Sequence, residues 1–349
     1  MNIALVKLSS IGDVVHALPA AAALHGALPH ARLTWIVERR EAAVLRDNPA
    51  LSEIVPVDTR RWRRARAPLA LAETAGALAA LRRHLRASRF DVAIDLQGLA
   101  KSGVITAATS APLRIGFSAA HCRERVNTLF TNRRVAPPPT ARHIVDRYLA
   151  LVEPLGARPR AAEFALPTDA PADARIDEFL MGAGLKPRDR LVVLNPGAGR
   201  PDKRWPVERF RALARRLVDD AGASVLVIWG PNELGQARAI ADADPGSRAR
   251  AILAPPTNLD ELLSVLRRAS VVVAGDTGPL HLAAALGTRC VGLYGPTSIE
   301  RNGPYGRGHR TLASPDRTMD SLAVEPVLRA VGEILDGPAA DSSAAEVSR

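Results

Sequence analysis

Short apolar runs rich in Val, Ile and Leu alternate along the chain with longer stretches in which Ala, Leu and Arg dominate. That alternation is the signature of βαβ units built around parallel sheets. In the first half it predicts strands at 3–7, 33–37, 54–57, 92–96 and 114–117, with helices starting near Asp13, Arg39, Leu69 and Ala100. A long helix near 143–155 leads into a Pro-rich, sparsely apolar stretch, 156–172, that reads as an interdomain linker. The second half begins afresh with a strand at 191–194. Further strands are expected at 224–228, 271–274 and 290–293, with helices at about 206–221, 233–243, 259–269 and 278–286. The pattern predicts an α/β chain of two Rossmann-like halves with a cleft between them and ligands at the carboxyl ends of the strands. The expected division is 1–160, 172–315, a C-terminal helix within 316–336 and a small-residue, polar tail, 337–349, expected to be disordered.

The length of 349 residues fits two domains of roughly 150 residues each. Arginine supplies most of the net charge of +11. Such a balance fits a polyanionic partner, whether nucleic acid, an acidic membrane surface or a phosphorylated substrate, and fits equally a compositional bias toward Ala and Arg. Two cysteines far apart, Cys122 and Cys290, imply a reducing compartment without a disulfide framework. The first strand starts at once and is followed by Lys7 and Asp13, which is not the layout of a signal peptide. No apolar run approaches the roughly 20 residues that span a bilayer. The expectation is a cytoplasmic protein, with contact at the inner-membrane face left open through charge.

The first strand ends in Lys7-Leu8-Ser9-Ser10-Ile11-Gly12-Asp13-Val14-Val15-His16. This is not the Gly-rich fingerprint of a dinucleotide fold, so a dehydrogenase is disfavoured. Its small residues permit a tight strand-to-helix turn with Asp13 at the edge of the cleft. A carboxylate there suits a general base, but capping the helix is the commoner task for Asp, and the local sequence favours the cap. The second half holds a sharper signal in Gly275-Asp276-Thr277-Gly278-Pro279-Leu280-His281 after an apolar strand. Glycines that admit a ligand and a helix N-terminus together suit a diphosphate. The loops holding Ala198 and Gly199, then Lys203-Arg204-Trp205-Pro206, and Glu233 after the next strand are its expected partners. Lys203 offers a point charge to a leaving phosphate and Glu233 a carboxylate to a ribose hydroxyl, or else a solvated lysine and a first-turn carboxylate. Arg60-Arg61-Trp62-Arg63-Arg64-Ala65-Arg66 follows the third strand and suits an anionic acceptor, or else a solvated charge run. Beyond the single Trp62 no interleaved aromatics accompany it, and no nucleic-acid motif does. Asp242-Ala243-Asp244 matches a metal-binding D-x-D formally but sits at a helix end before Pro245-Gly246, where it reads as surface.

Together these segments resemble the ADP-heptose:lipopolysaccharide heptosyltransferases of glycosyltransferase family 9. The resemblance also rests on Asp95-Leu96-Gln97-Gly98-Leu99-Ala100-Lys101-Ser102 and Tyr294-Gly295-Pro296-Thr297, and it runs to about residue 312. It implies a GT-B fold and inverting, metal-independent transfer of L-glycero-D-manno-heptose from ADP-heptose, with no cofactor beyond that donor. By the same resemblance Asp13 is the general base. Ala198, Gly199, Lys203, Glu233, Asp276, Thr277, Gly278 and His281 hold the donor, and Ser10, Gly12, Arg60, Arg61, Arg63, Lys101 and Arg123 the acceptor. The Arg60–Arg63 run resembles the segment with which family members grip phosphorylated Kdo-lipid A, and nucleic acid is not an expected partner. One loop departs from that pattern. Pro196-Gly197-Ala198-Gly199 stands where those members carry two threonines, and it looks more like relatives whose acceptor already bears a heptose.

Overall fold

The computed structural model describes residues 1–64, 68–186, 189–242 and 251–337, without the side chains of residues 63, 64, 68 and 69. It divides into two units, Met1–Pro167 and Thr168–Arg349. In chain order the first unit comprises β1 (Asn2–Val6), α1 (Ile11–Ala27), β2 (Arg32–Glu38), β3 (Glu53–Val57), α2 (Thr59–Arg64) and α3 (Pro68–Ala87). It continues with β4 (Val92–Asp95), α4 (Ala100–Ala108), β5 (Leu113–Phe117), β6 (Arg133–Val135) and α5 (Ile144–Val152). All six strands are parallel, in the order β3-β2-β1-β4-β5-β6. β1 lies between β2 and β4, pairing Val6 with Ile36 on one side and Asp95 on the other, and Ile3–Val6 are fully buried. Strands enclosed in this way need apolar side chains on both faces, which is why β1 reads as an unbroken apolar run. Pro56 is tolerated because β3 is an edge strand.

The second unit repeats the plan. It comprises α6 (Ala170–Gly182), β7 (Leu191–Asn195), α7 (Val207–Asp219), β8 (Ser224–Val227), α8 (Leu234–Ala241), β9 (Ile252–Leu253) and α9 (Leu259–Arg268). Then come β10 (Val271–Gly275), α10 (Gly278–Ala285), β11 (Cys290–Tyr294), α11 (Ile299–Asn302), β12 (Arg310–Ala313) and α12 (Val324–Asp336). Its parallel order is β12-β11-β10-β7-β8-β9. In both sheets the first strand in sequence lies centrally and the connections run outward to either side. The chain therefore reverses its winding between β1 and β4, and again between β7 and β10. At such switch points the loops after the strands diverge and leave a crevice for ligand.

Several elements differ from the pattern reading. The helix expected near Arg39 is a single 3-10 turn, Ala42–Leu45, and the one expected over 143–155 ends in a 3-10 turn closed by left-handed Gly156. α6 was hidden in the stretch around the expected linker. Its buried Ala172, Ile176 and Leu180 recur every fourth residue, but Pro and charged residues dilute the stripe. β6, β9 and β12 are short strands at or beside sheet edges with half-exposed or exposed residues, so they lack an apolar run to announce them. The C-terminal helix α12 buries Val327, Val331, Ile334 and Leu335 in the core that also holds Phe210 and Leu217 of α7. The tail from 338 onward and Asp244 lie outside the described residues.

Candidate active site

The first cluster lies on the loops that follow the strands of the first sheet. After β1 the chain turns at Ser10, the N-cap of α1, and Asp13 occupies the third helical position. Asp13 Oδ2 accepts from the Ser10 N–H (3.1 Å) and hydroxyl (3.2 Å), while Oδ1 faces Lys7 Nζ at 3.5 Å. Capping and chemistry therefore do not compete for this carboxylate. One oxygen closes the helix end, and 28% of the side chain stays exposed. Burial would raise the Asp13 pKa, but Lys7, the Ser10 N–H, Arg123 and the Ser10 hydroxyl together hold it below the ordinary carboxylate value. Lys7 itself is fully buried beneath it, donating to the Tyr148 hydroxyl at 2.6 Å. Burial lowers the Lys7 pKa, with Asp13 opposing.

The loop after β4 fixes this turn. Gln97 Oε1 accepts from the Leu8 and Ser9 N–H groups (3.0 and 3.3 Å), and its Nε2 donates to the Ser9 carbonyl (2.9 Å). Asp95, fully buried, accepts from the Gln97 and Gly98 N–H groups and from Asn127 Nδ2 (2.6 Å), which holds the loop's own shape. Gly98 has a left-handed φ of 69°, and an added Cβ would press on the Arg123 nitrogen at 3.4 Å. The Gly98 carbonyl accepts from Glu124, whose side chain in turn receives the Ala100 N–H (2.7 Å). Arg123 is thereby carried to where its charge reaches Asp13 and Lys7. Gly12 is buried in the first turn of α1 and Ser10 stays exposed. Gln97→Ala strips three hydrogen bonds, one buried and two part-buried, from the turn, and the expected loss is about 2–3 kcal/mol. Urea unfolding followed by a probe in the first unit checks it.

Three further candidate cations of this unit each face a carboxylate. Arg60 stands 3.6 Å from Glu41, Lys101 stands 3.6 Å from Glu38, and Arg61 bonds Glu73 of α3 at 2.6 Å. Arg61 also lines a cavity of about 580 Å³ beside edge strand β3, with Arg39, Trp62, Leu81 and His84; neither Asp13 nor Arg60 lines it. The side chain of Arg63 lies outside the described set.

The second cluster follows β7, β8 and β10. Asp276 is 7% exposed and sits between two partners, Lys203 Nζ at 2.7 Å and His281 Nε2 at 2.9 Å. It does not cap α10; Thr277 is the N-cap, and its hydroxyl donates to the Gly275 carbonyl and accepts from Asn195 Nδ2. Burial pushes the Asp276 carboxyl up, but His281 and Lys203 outweigh it and hold the pKa well below the carboxylate range. Lys203 is thus a charge fixed by a buried carboxylate rather than a solvated loop lysine. Arg204 pins the preceding loop by donating twice to the Ala198 carbonyl (3.1 and 2.9 Å), Ala198 is buried and Gly199 is exposed. Trp205 is a core residue packed edge-on against Phe210, so it owes its place to packing. Glu233 precedes α8 and turns back to accept from the Gly230 N–H at 2.8 Å. A Cβ on Gly197 would stand 2.0 Å from that carboxylate, so only glycine leaves Glu233 its place. Gly278 opens α10. Asp242 closes α8, away from these loops in the sheet plan.

Residues 78–326 match glycosyltransferase family 9 (heptosyltransferase), well over half of the chain. The chain belongs to glycosyltransferase family 9. Lipopolysaccharide heptosyltransferase 1 of Salmonella typhimurium is 31% identical over 92% of this chain and 97% of that protein. The enzyme of the same name from Pseudomonas aeruginosa is 32% identical over 90% of this chain and 84% of its own length. Among solved structures, the E. coli heptosyltransferase WaaC with ADP has a TM-score of 0.78 at 30% identity, covering 96% of this chain and 100% of that one. The chain is a glycosyltransferase, and its two Rossmann-like sheets are those of the GT-B fold. Among the described residues no helix is long and apolar enough to cross a membrane.

Within this family-9 chain the tertiary structure adds Lys7, Tyr148, Asn127, Asn195, Glu38 and Glu41 to the residues that shape the two clusters. Gln97 and Asp95 had a signal, since both lie in the quoted Asp-Leu-Gln-Gly segment. Tyr148 had none: it reaches Lys7 across 141 positions of sequence from the middle of a helix.

Proposed function

We propose that the chain transfers L-glycero-D-manno-heptose from ADP-heptose to the Kdo residue of Kdo-lipid A, with inversion and without a metal ion, in lipopolysaccharide inner-core synthesis. The observation that carries this reading is Asp13: a carboxylate kept ionised, half committed to its helix, on the same loop edge as Arg60, Lys101 and Arg123. The names of the relatives agree with it, and the solved WaaC structures hold ADP and ADP-2-deoxy-2-fluoro heptose. In the proposed step Asp13 takes the proton of the acceptor hydroxyl as its oxygen bonds to the anomeric carbon. The bond from that carbon to the diphosphate breaks, and the electron pair leaves with ADP. Lys203 and the N–H groups opening α10 stabilise the negative charge that develops there, which is the task a metal ion has in other transferases. Glu233 and His281 take the nucleotide on the loops of the second unit, with the backbone at Ala198 and Gly199. Ser10, Gly12, Arg60, Arg61, Arg63, Lys101 and Arg123 take the acceptor, an anionic lipid that places the work at the cytoplasmic face of the inner membrane.

The loop at 196–199 favours a second reading, transfer to an acceptor that already carries one heptose. It offers backbone and a buried Ala198, where the Kdo-lipid A branch has hydroxyls. Purified enzyme is given ADP-heptose with either acceptor, in the presence of EDTA. The expected result is product from Kdo-lipid A alone, with the anomeric configuration inverted by NMR. Product only from the heptosylated acceptor selects the second reading, and no product from either removes both.

A further inference from the structure

Glu38 ends β2 and Glu41 lies in the turn beyond it, on the loop edge that also carries Arg60 and Lys101. Both carboxylates are buried, Glu38 to 3% exposure and Glu41 to 2%. Two buried negative charges are an odd inclusion beside a site for an anion, because each weakens the positive potential there. Glu38 has local work, since it accepts from the N–H (3.1 Å) and hydroxyl of Thr59, the first residue of α2. Glu41 has less. Its Oε2 finds no hydrogen-bond partner among the described residues, and its Oε1 stands 3.6 Å from an Arg60 that is 43% exposed. Burial pushes the Glu41 carboxyl up, Arg60 and then Arg40 oppose it, and Glu38 adds to it. A buried carboxylate so poorly satisfied costs stability, and such costs persist where function uses them.

We propose that Glu41, together with Glu38, is a positioning residue of the acceptor site: Glu41 holds Arg60, and Glu38 holds Lys101, ready for an anionic acceptor. Arg and Lys are long and rotamer-rich, and holding them before the ligand arrives removes part of the ordering cost of binding. The 3.6 Å spacing leaves both cations their hydrogen-bond donors for the ligand, so the carboxylates orient without consuming what the acceptor needs. This inference rests on the reading that Arg60 and Lys101 receive the acceptor.

Glu41→Gln tests it, because the substitution keeps the shape and removes the charge. The expected result is an unchanged or higher Tm, with the Kd and KM for Kdo-lipid A raised about three- to tenfold. The effect falls on the acceptor, leaving kcat and the KM for ADP-heptose within twofold. In an Arg60→Ala background the same substitution is expected to change acceptor affinity less than twofold, since the group it positions is gone. A lower Tm with unchanged acceptor Kd makes Glu41 merely structural and overturns the inference. So does an acceptor Kd that falls, or a loss that persists in the Arg60→Ala background. Wild-type enzyme that binds Kdo-lipid A without transferring heptose defeats the proposed function alone, and the Kd comparison still decides the inference. Wild-type enzyme that binds no Kdo-lipid A removes both.

Discussion

Asp13→Asn is expected to lower kcat roughly 100- to 10,000-fold, the range over which a positioned general base contributes. The amide keeps an oxygen for the Ser10 N–H and hydroxyl, so the cap at the start of α1 survives while the base does not. Steady-state kinetics with ADP-heptose and Kdo-lipid A checks the loss, and circular dichroism with a thermal melt checks the fold. The melt has its own expected direction. Removing the Asp13 charge leaves the buried Lys7 ammonium with Tyr148 as its nearest partner, so the midpoint falls. A variant that keeps near-normal turnover would show that Asp13 is only a cap. The pH profile gives a second check. Because Lys7, Ser10 and Arg123 outweigh burial and depress the Asp13 pKa, the base is already ionised through the neutral range. The acid limb of kcat/KM assigned to this group should therefore lie below the ordinary carboxylate pKa of about 4.

Lys203→Ala carries the second large effect, a fall in kcat/KM for ADP-heptose of about 100-fold. Its charge faces a leaving diphosphate in the proposed step, and the variant also leaves Asp276 with His281 as its remaining charged partner. Because Asp276 is buried, stability is expected to drop by about 1–3 kcal/mol. The loss depends on pH in a definite direction. The native pKa of Asp276 is depressed, so folding favours its ionised form, and the pair's contribution is complete above the unfolded value of about 4. It is lost as the pH falls below that value toward the native one. Thermal melts from pH 7 down to about 3 should show wild-type and Lys203→Ala curves converging as the acid range is entered. Parallel curves would mean that Asp276 is not the group Lys203 stabilises.

The clusters were unequally legible before the structure. Gly275-Asp276-Thr277-Gly278 announced a helix N-terminus after a buried strand because glycine, threonine and proline have local conformational uses there. The partners of Asp276 were not written there: the cap is Thr277, and the carboxylate serves Lys203 and His281. For Asp13 local sequence offered cap or base as alternatives, and the structure shows one oxygen capping while the other faces Lys7. The arginine run was visible as charge, but its pairing was not. Arg60 meets Glu41, and Arg61 turns to Glu73 at the wall of a cavity elsewhere in the unit.

By itself the sequence determined the repeated strand–helix alternation, and with it two parallel sheets with site loops after their strands. It also determined membership of glycosyltransferase family 9, through motifs that lie within single loops. These are local properties, written in runs of about five to fifteen residues. Tertiary structure decided the state of each charge. Whether a carboxylate is ionised, capped or paired depends on what the sheet order brings beside it, such as Tyr148 to Lys7, or Asp276 to Lys203 from 73 residues away. Those neighbours come from strand order and helix packing distant in sequence, and in the buried interior their electrostatic effect outweighs any local preference.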